Sequence, residues 1–313
     1  MPPASRSTLV TGSAGALGTA ILQELADAGY TNILHPAKSE MDCLDPTSVD
    51  RWFEEHRPEY VFHLAAVVYG LQGNLDNQIR GLRENVRVAD TVLSACARFS
   101  VKKVFYAGTV AAYGYPYVSL PLREEDAWKG EPHGGEYGYA SAKRYAYALL
   151  RVLRQSAGLD FSYGLFTNLY GENDRFNTRS GHVIPSLLAK AECAAQTDKK
   201  LHVWGRPDVT RDFLYTRDAA RAAILCMEHN LPLVNISSGQ ETSMNELVTI
   251  INQHYNNALN VVWQKNQPVG IPRRSVDNSL LRSHGFSPQT TLKNGIQNTI
   301  QWLKNHKTNI REN

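Results

Sequence analysis

Cysteine is scarce. The four in 313 residues, Cys43, Cys96, Cys193 and Cys226, stand far apart and show no metal-ligand spacing. They read as small buried residues of a reducing compartment, not as a disulfide frame or a metal cluster. Long apolar runs are missing as well. No stretch approaches the ~20 residues that a membrane-spanning helix needs, and the opening Met1-Pro2-Pro3-Ala4-Ser5-Arg6 lacks the apolar core of a signal peptide. A cytoplasmic location without membrane contact is expected. Charge of one sign is nowhere concentrated. The net charge is +3 with Lys and Arg spread along the chain, which argues against a nucleic-acid arm and is compatible with an anionic ligand. No internal repeat, low-complexity block or Pro/Ser-rich linker divides the sequence.

What the chain has is an ordinary globular composition, 42% hydrophobic and 20% charged. Its length suits a large α/β domain with a smaller appendage. In the first half, β-branched or aromatic runs alternate with helical patterns. Thr8-Leu9-Val10-Thr11 reads as a strand, and Leu17, Ile21, Leu25 and Ala28 then mark one helical face that Gly29 stops. Asn32-Ile33-Leu34, residues 60–65 and residues 103–107 read as further strands, and Asp45-Pro46 as an N-cap with proline in the first turn. This alternation predicts a Rossmann-type, doubly wound parallel sheet. In the second half, residues 182–195 and 217–228 read as helices and 201–204 and 213–215 as short strands. Ser243-Met244-Asn245-Glu246 is a capping box, and Leu292, Ile296, Ile300 and Leu303 stripe a last helix. The main boundary is expected near residues 168–171, giving units 1–170 and 171–313, with some later segments returning to the sheet.

Gly12-Ser13-Ala14-Gly15-Ala16-Leu17-Gly18 spaces three glycines by three residues between the first strand and the first helix. Glycines there allow a tight turn and close backbone approach to a pyrophosphate, which the free N–H groups of the helix start attract. A purely structural turn is the alternative. An NAD site places a carboxylate at the end of the second strand. Here the strand ends Leu34-His35-Pro36-Ala37-Lys38, and no acid occurs until Glu40. His35 and Lys38 suit a 2′-phosphate instead, so NADP(H) is the expected cofactor; a solvated loop lysine is the alternative for Lys38.

Tyr139-Ala140-Ser141-Ala142-Lys143 places a phenol and an ammonium four residues apart, on one face of a helix. The cation is expected to favour the phenolate and lower the phenol's pKa, and the tyrosine to exchange a proton with a substrate oxygen as hydride moves at the adjacent carbon. Thr109 ends the strand of residues 103–107, where open α/β sheets place their ligands, and its hydroxyl can hold the same oxygen.

The glycine turn with Thr109, Tyr139 and Lys143 resembles the extended short-chain dehydrogenase/reductase superfamily. The runs Thr167-Asn168-Leu169-Tyr170-Gly171, Ser180-Gly181-His182-Val183-Ile184-Pro185, Val203-Trp204-Gly205 and Arg211-Asp212-Phe213-Leu214 narrow the likeness, over nearly the whole chain, to the GDP-L-fucose synthase family. That family epimerises GDP-4-keto-6-deoxy-mannose at C3 and C5 and reduces C4 with NADPH. The resemblance implies catalytic roles for Thr109, Tyr139, Lys143 and His182, the last as the acid of epimerisation. It implies a cofactor site of Gly12, Ser13, Gly15, Ala16, Leu17, Gly18, Lys38, Asp42, Leu44, Leu64, Ala65, Ala66, Tyr139, Lys143, Asn168 and His182. Thr109, Asn168, Lys190, Trp204, Arg211 and Arg274 are implied for the GDP-sugar, held mainly by residues 171–313. Charge-assisted donors suit a diphosphate, although a surface lysine is an equal reading of Lys190. A homodimer through the Tyr–Lys helix and the helix before it is also implied.

Two positions depart from the family. Its epimerase cysteine corresponds to Ala111, and a methyl group cannot accept a proton. Ala14 stands where the family often has an arginine for the NADP phosphate. The expected activity is therefore NADPH-dependent C4 reduction of a GDP-4-keto sugar, a 6-deoxyhexose or a heptose, with epimerisation weakened or lost. The alternatives are a full GDP-L-fucose synthase, an NAD-dependent 4-epimerase, and a non-catalytic cofactor-binding scaffold.

Overall fold

The structure, a computed structural model, describes residues 5–179, 181–264, 266 and 270–306. Residues 1–4 and Ser180, which opens one of the family-like runs, lie outside the described residues. In chain order the elements are β1 (Thr8–Thr11), α1 (Ala16–Asp27), β2 (Ile33–Leu34), α2 (Pro46–His56), β3 (Tyr60–His63), α3 (Leu71–Asp76), α4 (Gln78–Arg98) and β4 (Lys103–Thr109). Then follow α5 (Tyr137–Ala157), β5 (Asp160–Phe166), β6 (Asn168–Tyr170), α6 (Val183–Gln196), β7 (Lys200–Trp204), β8 (Thr210–Tyr215) and α7 (Thr216–Glu228). The chain closes with β9 (Leu233–Ile236), β10 (Glu241–Ser243), α8 (Met244–His254), β11 (Asn260–Gln264), α9 (Ser279–Ser283) and α10 (Leu292–Asn305).

Six strands form a parallel sheet in the order β2-β1-β3-β4-β5-β9. Because successive strand residues face opposite sides, the sheet feeds two cores. Leu9, Val61 and Val104 meet Val49 and Phe53 of α2, Val92 and Leu93 of α4, and Leu150 of α5. Their neighbours Val10, Phe62 and Phe105 meet Ile21 and Leu25 of α1 and the small residues Ala219, Ala220 and Ala223 of α7. Strands buried on both faces explain why these runs are almost continuously apolar. This is the doubly wound fold that the sequence predicts.

Local chemistry sets the element ends. Asp45 caps α2 by accepting from the Thr47 amide at 3.0 Å, with Pro46 opening the helix, a cap worth about 1 kcal/mol. Ser243 and Glu246 close the capping box of α8. The strand expected over residues 60–65 stops at His63, because the Thr11 hydroxyl oxygen accepts the amides of Leu64 and Ala65 at 3.1 and 3.2 Å and turns the chain out of the sheet. Strand β4 instead runs two residues beyond the expected 107 and carries Thr109 out to the sheet's edge. His182 precedes α6 as its N-cap and does not lie inside the helix.

The remaining strands pair away from this sheet. β10-β8-β6 form one small sheet, and β11 and β7 form a parallel pair. Leu188, Leu201, Val203, Leu247, Ile251, Ile296, Ile300 and Leu303 pack beneath them as a third core.

Candidate active site

The strand order reverses between β1 and β3, and ligands of such sheets bind beyond the carboxyl ends at that point. A cavity of about 880 Å³ opens there, walled on its other side by residues of β6, α6, β7 and β8. Gly12, Gly15, Ala16, Leu17, Gly18, Leu64, Ala65 and Ala66 line it, as do Thr109, Tyr139, Lys143, Asn168, His182, Lys190, Trp204, Arg211 and Arg274.

The glycine turn is shaped for a close-fitting group. Gly12 has φ +68°, and a Cβ on it would lie 2.8 Å from the Ala65 amide nitrogen. A Cβ on Gly18 would lie 2.3 Å from the Gly12 carbonyl oxygen. These contacts bring the turn, the start of α1 and the chain after β3 together without side chains between them. Gly15 is the N-cap of α1, and no side chain caps that helix. Its leading amides therefore keep their donors and partial positive charge for an anion. The residues present fit a dinucleotide pyrophosphate.

Thr109, Tyr139 and Lys143 converge, though not with the electrostatics the sequence suggests. The Thr109 hydroxyl oxygen accepts the Ala111 amide at 3.1 Å, and the same side chain hydrogen-bonds Tyr139. Burial pushes the Tyr139 phenol well above its ordinary value; the Glu136 carboxylate adds to this, and the Thr109 bond opposes it. Lys143 does not lower it. The buried ammonium donates to the Ala107 carbonyl at 2.7 Å and lies 4.7 Å from the Tyr106 ring centroid and 5.6 Å from that of Tyr139. Burial brings Lys143 itself down to about 7. Tyr139 thus holds its proton at neutral pH. Tyr163, which fills the space a Gly108 side chain would need, donates its hydroxyl to the Lys143 carbonyl at 2.9 Å and fixes α5 against the sheet. Ala111 is buried, starts no side-chain chemistry, and lines the cavity beside Thr109.

His182 faces Asp174, with Nδ1 3.6 Å from the carboxylate. Burial works against the imidazolium, but Asp174 outweighs it and raises His182 above its ordinary value. The Lys190 ammonium sits 4.2 Å from the Trp204 ring centroid, and burial brings it down to about 8. Burial and the neighbouring Arg274 pull Arg211 down to about 10. Arg274 is already engaged: it donates to Glu136 at 2.6 Å and to the Tyr117 hydroxyl at 2.7 Å.

Ser13, Lys38, Asp42 and Leu44 do not line this cavity. Lys38 and Asp42 form an exposed ion pair at 3.8 Å, and Asp42 accepts the Leu44 amide at 3.0 Å. Sequence reasoning overlooked Glu136, His133, Asp174, Arg175 and Arg179, all on the cavity wall. The signal for Glu136 was its place three residues before Tyr139; the others sit in loops with no periodicity. Asp212, read as part of a motif, is a buried clamp that accepts the amides of Ser238, Gly239 and Gln240.

Residues 8–237 match the NAD dependent epimerase/dehydratase family. The GDP-L-fucose synthase of Sinorhizobium fredii is 30% identical over 295 residues, covering 93% of this chain and 93% of its own. A GDP-L-fucose synthetase from Naegleria fowleri superposes with a TM-score of 0.90 at 27% identity, covering 98% of this chain and 96% of that one. Its structure bound to NADP gives 0.88 at 26% identity, with the same coverage. The chain belongs to the NAD dependent epimerase/dehydratase family, among the relatives of GDP-L-fucose synthase.

Proposed function

We propose that this chain is an NADPH-dependent reductase of a GDP-linked 4-keto sugar, a 6-deoxyhexose or a heptose, with C3/C5 epimerisation weakened or lost. The observation that carries the reading is a proton-bearing Tyr139 joined to Thr109 beside an alanine at position 111.

Bound NADPH would supply the hydride for C4. Tyr139 gives its proton to the C4 oxygen and Thr109 hydrogen-bonds the same oxygen, so the ketone becomes an alcohol. Gly12, Gly15, Ala16, Leu17 and Gly18 would hold the pyrophosphate, and Leu64, Ala65 and Ala66 would contribute the facing wall of the same site. Lys38, Asp42 and Leu44 serve the adenosine end. Lys143 would hold the nicotinamide ribose, with Asn168 and His182 contributing to the same wall. The NADP-bound Naegleria relative supports the choice of cofactor. Lys190 and Trp204 form a cation–π platform for the guanine end, and Arg211 with Arg274 supplies positive charge for the diphosphate. Residues 171–313 contribute most of this part, and residues 1–170 the cofactor part.

The loss of epimerisation rests on bases. None of the four cysteines lines the cavity, and burial raises the Cys43 thiol to about 11. His182, held toward its protonated form by Asp174, orients the sugar. A cytoplasmic homodimer through α4 and α5 completes the proposal. Among the described residues, no helix is long and apolar enough to cross a membrane.

The test is a paired assay on GDP-4-keto-6-deoxy-mannose in deuterated water, with and without NADPH. NADPH oxidation without deuterium at C3 or C5 is expected. Turnover that needs no NADPH would point to a 4-epimerase, and deuterium in the product to a full synthase. Tyr139→Phe should abolish turnover with cofactor binding unchanged, which separates the enzyme from a scaffold.

A further inference from the structure

Glu136 is an acidic side chain on the cavity wall with no part in the proposed proton and hydride transfer. It immediately precedes α5, three residues before Tyr139, so the two side chains rise from one side of the helix start. It lines the cavity with Tyr139, Arg211 and Arg274. Its Oε2 accepts from Arg274 at 2.6 Å, while Oε1 accepts no hydrogen bond from the described residues. The side chain is 20% exposed, Arg274 only 7%. Arg211 lines the same wall, and its charge acts on the Glu136 carboxylate as that carboxylate acts on it. The carboxylate therefore stands between the proton donor and the cationic end.

A hexopyranosyl diphosphate reduced at C4 spans that same interval. Its C4 oxygen meets Tyr139, and its C1 carries the diphosphate toward the arginines. C1 and C4 are opposite corners of the ring, so Glu136 faces one of two edges: C2–C3, which bears hydroxyls, or C5 and the ring oxygen, which bears none. A carboxylate has no proton to give and repels a ring oxygen. Although burial works against the charge, Arg274 and then Arg211 and His133 hold Glu136 below its ordinary value, so it faces the sugar ionised.

Building on the proposed reaction, we infer that the Glu136 carboxylate, set against the C2–C3 edge, accepts the sugar's C3 hydroxyl and selects 4-keto sugars that retain it. Arg274 and Tyr117 hold the carboxylate in place for this, Arg274 through a 2.6 Å bond to Glu136 and Tyr117 through its 2.7 Å bond to Arg274.

The experiment measures kcat/KM for GDP-4-keto-6-deoxy-mannose and for its 3-deoxy counterpart, with the KM for NADPH followed in parallel. The unaltered enzyme is expected to prefer the hydroxylated sugar by ~10–100-fold, the factor attached to one hydrogen bond to a charged group. Glu136→Gln should lower kcat/KM on the hydroxylated sugar by about that factor and leave the 3-deoxy sugar and the KM for NADPH nearly unchanged, so the preference collapses. Glu136→Asp, which keeps the charge beside Arg274 but withdraws the carboxylate by one methylene, should fall between the two and guards against misfolding of the glutamine variant. A Glu136 that merely neutralises Arg274 would weaken both sugars by the same factor, and that result overturns the inference. So does an unaltered enzyme that reduces both sugars equally well. If neither sugar is reduced, the reductase reading fails first and the inference falls with it.

Discussion

The Lys143 ammonium donates to the Ala107 carbonyl at 2.7 Å, in the strand beside Tyr139, and not to the tyrosine four residues before it in the same helix. The charge is buried with a neutral partner, and its pKa falls to about 7. The sign follows. Above about pH 7 the folded site holds a neutral lysine, whereas in the unfolded chain lysine stays protonated up to its ordinary value near 10.5. Stability therefore rises with pH across that window.

An anionic dinucleotide favours the protonated form, so binding NADPH at pH 8 should take up a proton at Lys143. Affinity should weaken as pH rises above about 7, by at most ~10-fold per pH unit. Calorimetry in two buffers of different ionisation enthalpy reads the uptake directly. It should amount to a large fraction of one proton in the unaltered protein and vanish in Lys143→Met. Equal uptake in both would show that Lys143 is not the group that titrates.

Lys38 carries a second expectation. Its ammonium is 3.8 Å from the Asp42 carboxylate and mostly exposed, and β2 before it offers no acid at its end to a ribose hydroxyl. Such an exposed pair is worth at most ~1 kcal/mol, so a 2′-phosphate can draw the lysine away. Lys38→Ala should lower the NADPH-over-NADH ratio of kcat/KM by about tenfold, in line with a charge-assisted contact of ~1.4 kcal/mol or more, and leave thermal stability almost unchanged. A ratio that does not move would make Lys38 a solvated loop residue and leave the phosphate to other groups.

Much of the fold was legible because its signals are local. Leu9 and Val10, Val61 and Phe62, and Val104 and Phe105 alternate between two cores where consecutive apolar residues predict a sheet covered on both sides. Gly12, Gly15 and Gly18 fall at a strand-to-helix turn that sterics reserve for glycine. What escaped depends on partners far away in sequence. Glu136 reads as one acid in a glycine-rich loop until Arg274, 138 residues later, meets it. Arg274 looks like a free cation for the same reason. The Tyr–Lys spacing places both side chains on one helical face, but it says nothing of the Ala107 carbonyl that takes the ammonium. Strand β3 ends early through a hydroxyl on β1, which no property of residues 60–65 announces.

Position 111 lacks a side chain that could accept a proton. Ala111 is 4% exposed, lines the cavity and donates its amide to Thr109, so a side chain there begins within one residue-length of the hydroxyl proposed to bind the C4 oxygen. In the proposed reaction a base at that point would reach protons on the carbons flanking the ketone, and Thr109 and Tyr139 would stabilise the enolate oxygen that forms. Ala111→Cys adds one sulfur atom to a wall that already opens onto the cavity, so the packing cost should stay near the lower end of the ~1–3 kcal/mol seen for overpacked cores. In deuterated water the unaltered protein should yield a reduced sugar with no deuterium at C3 or C5, and Ala111→Cys a product carrying one or two deuterons by mass spectrometry. Continued reduction by the variant without exchange would show that the alanine is not what stops epimerisation, and that the pairing of His182 with Asp174, or the seating of the sugar, withholds the second half of the reaction.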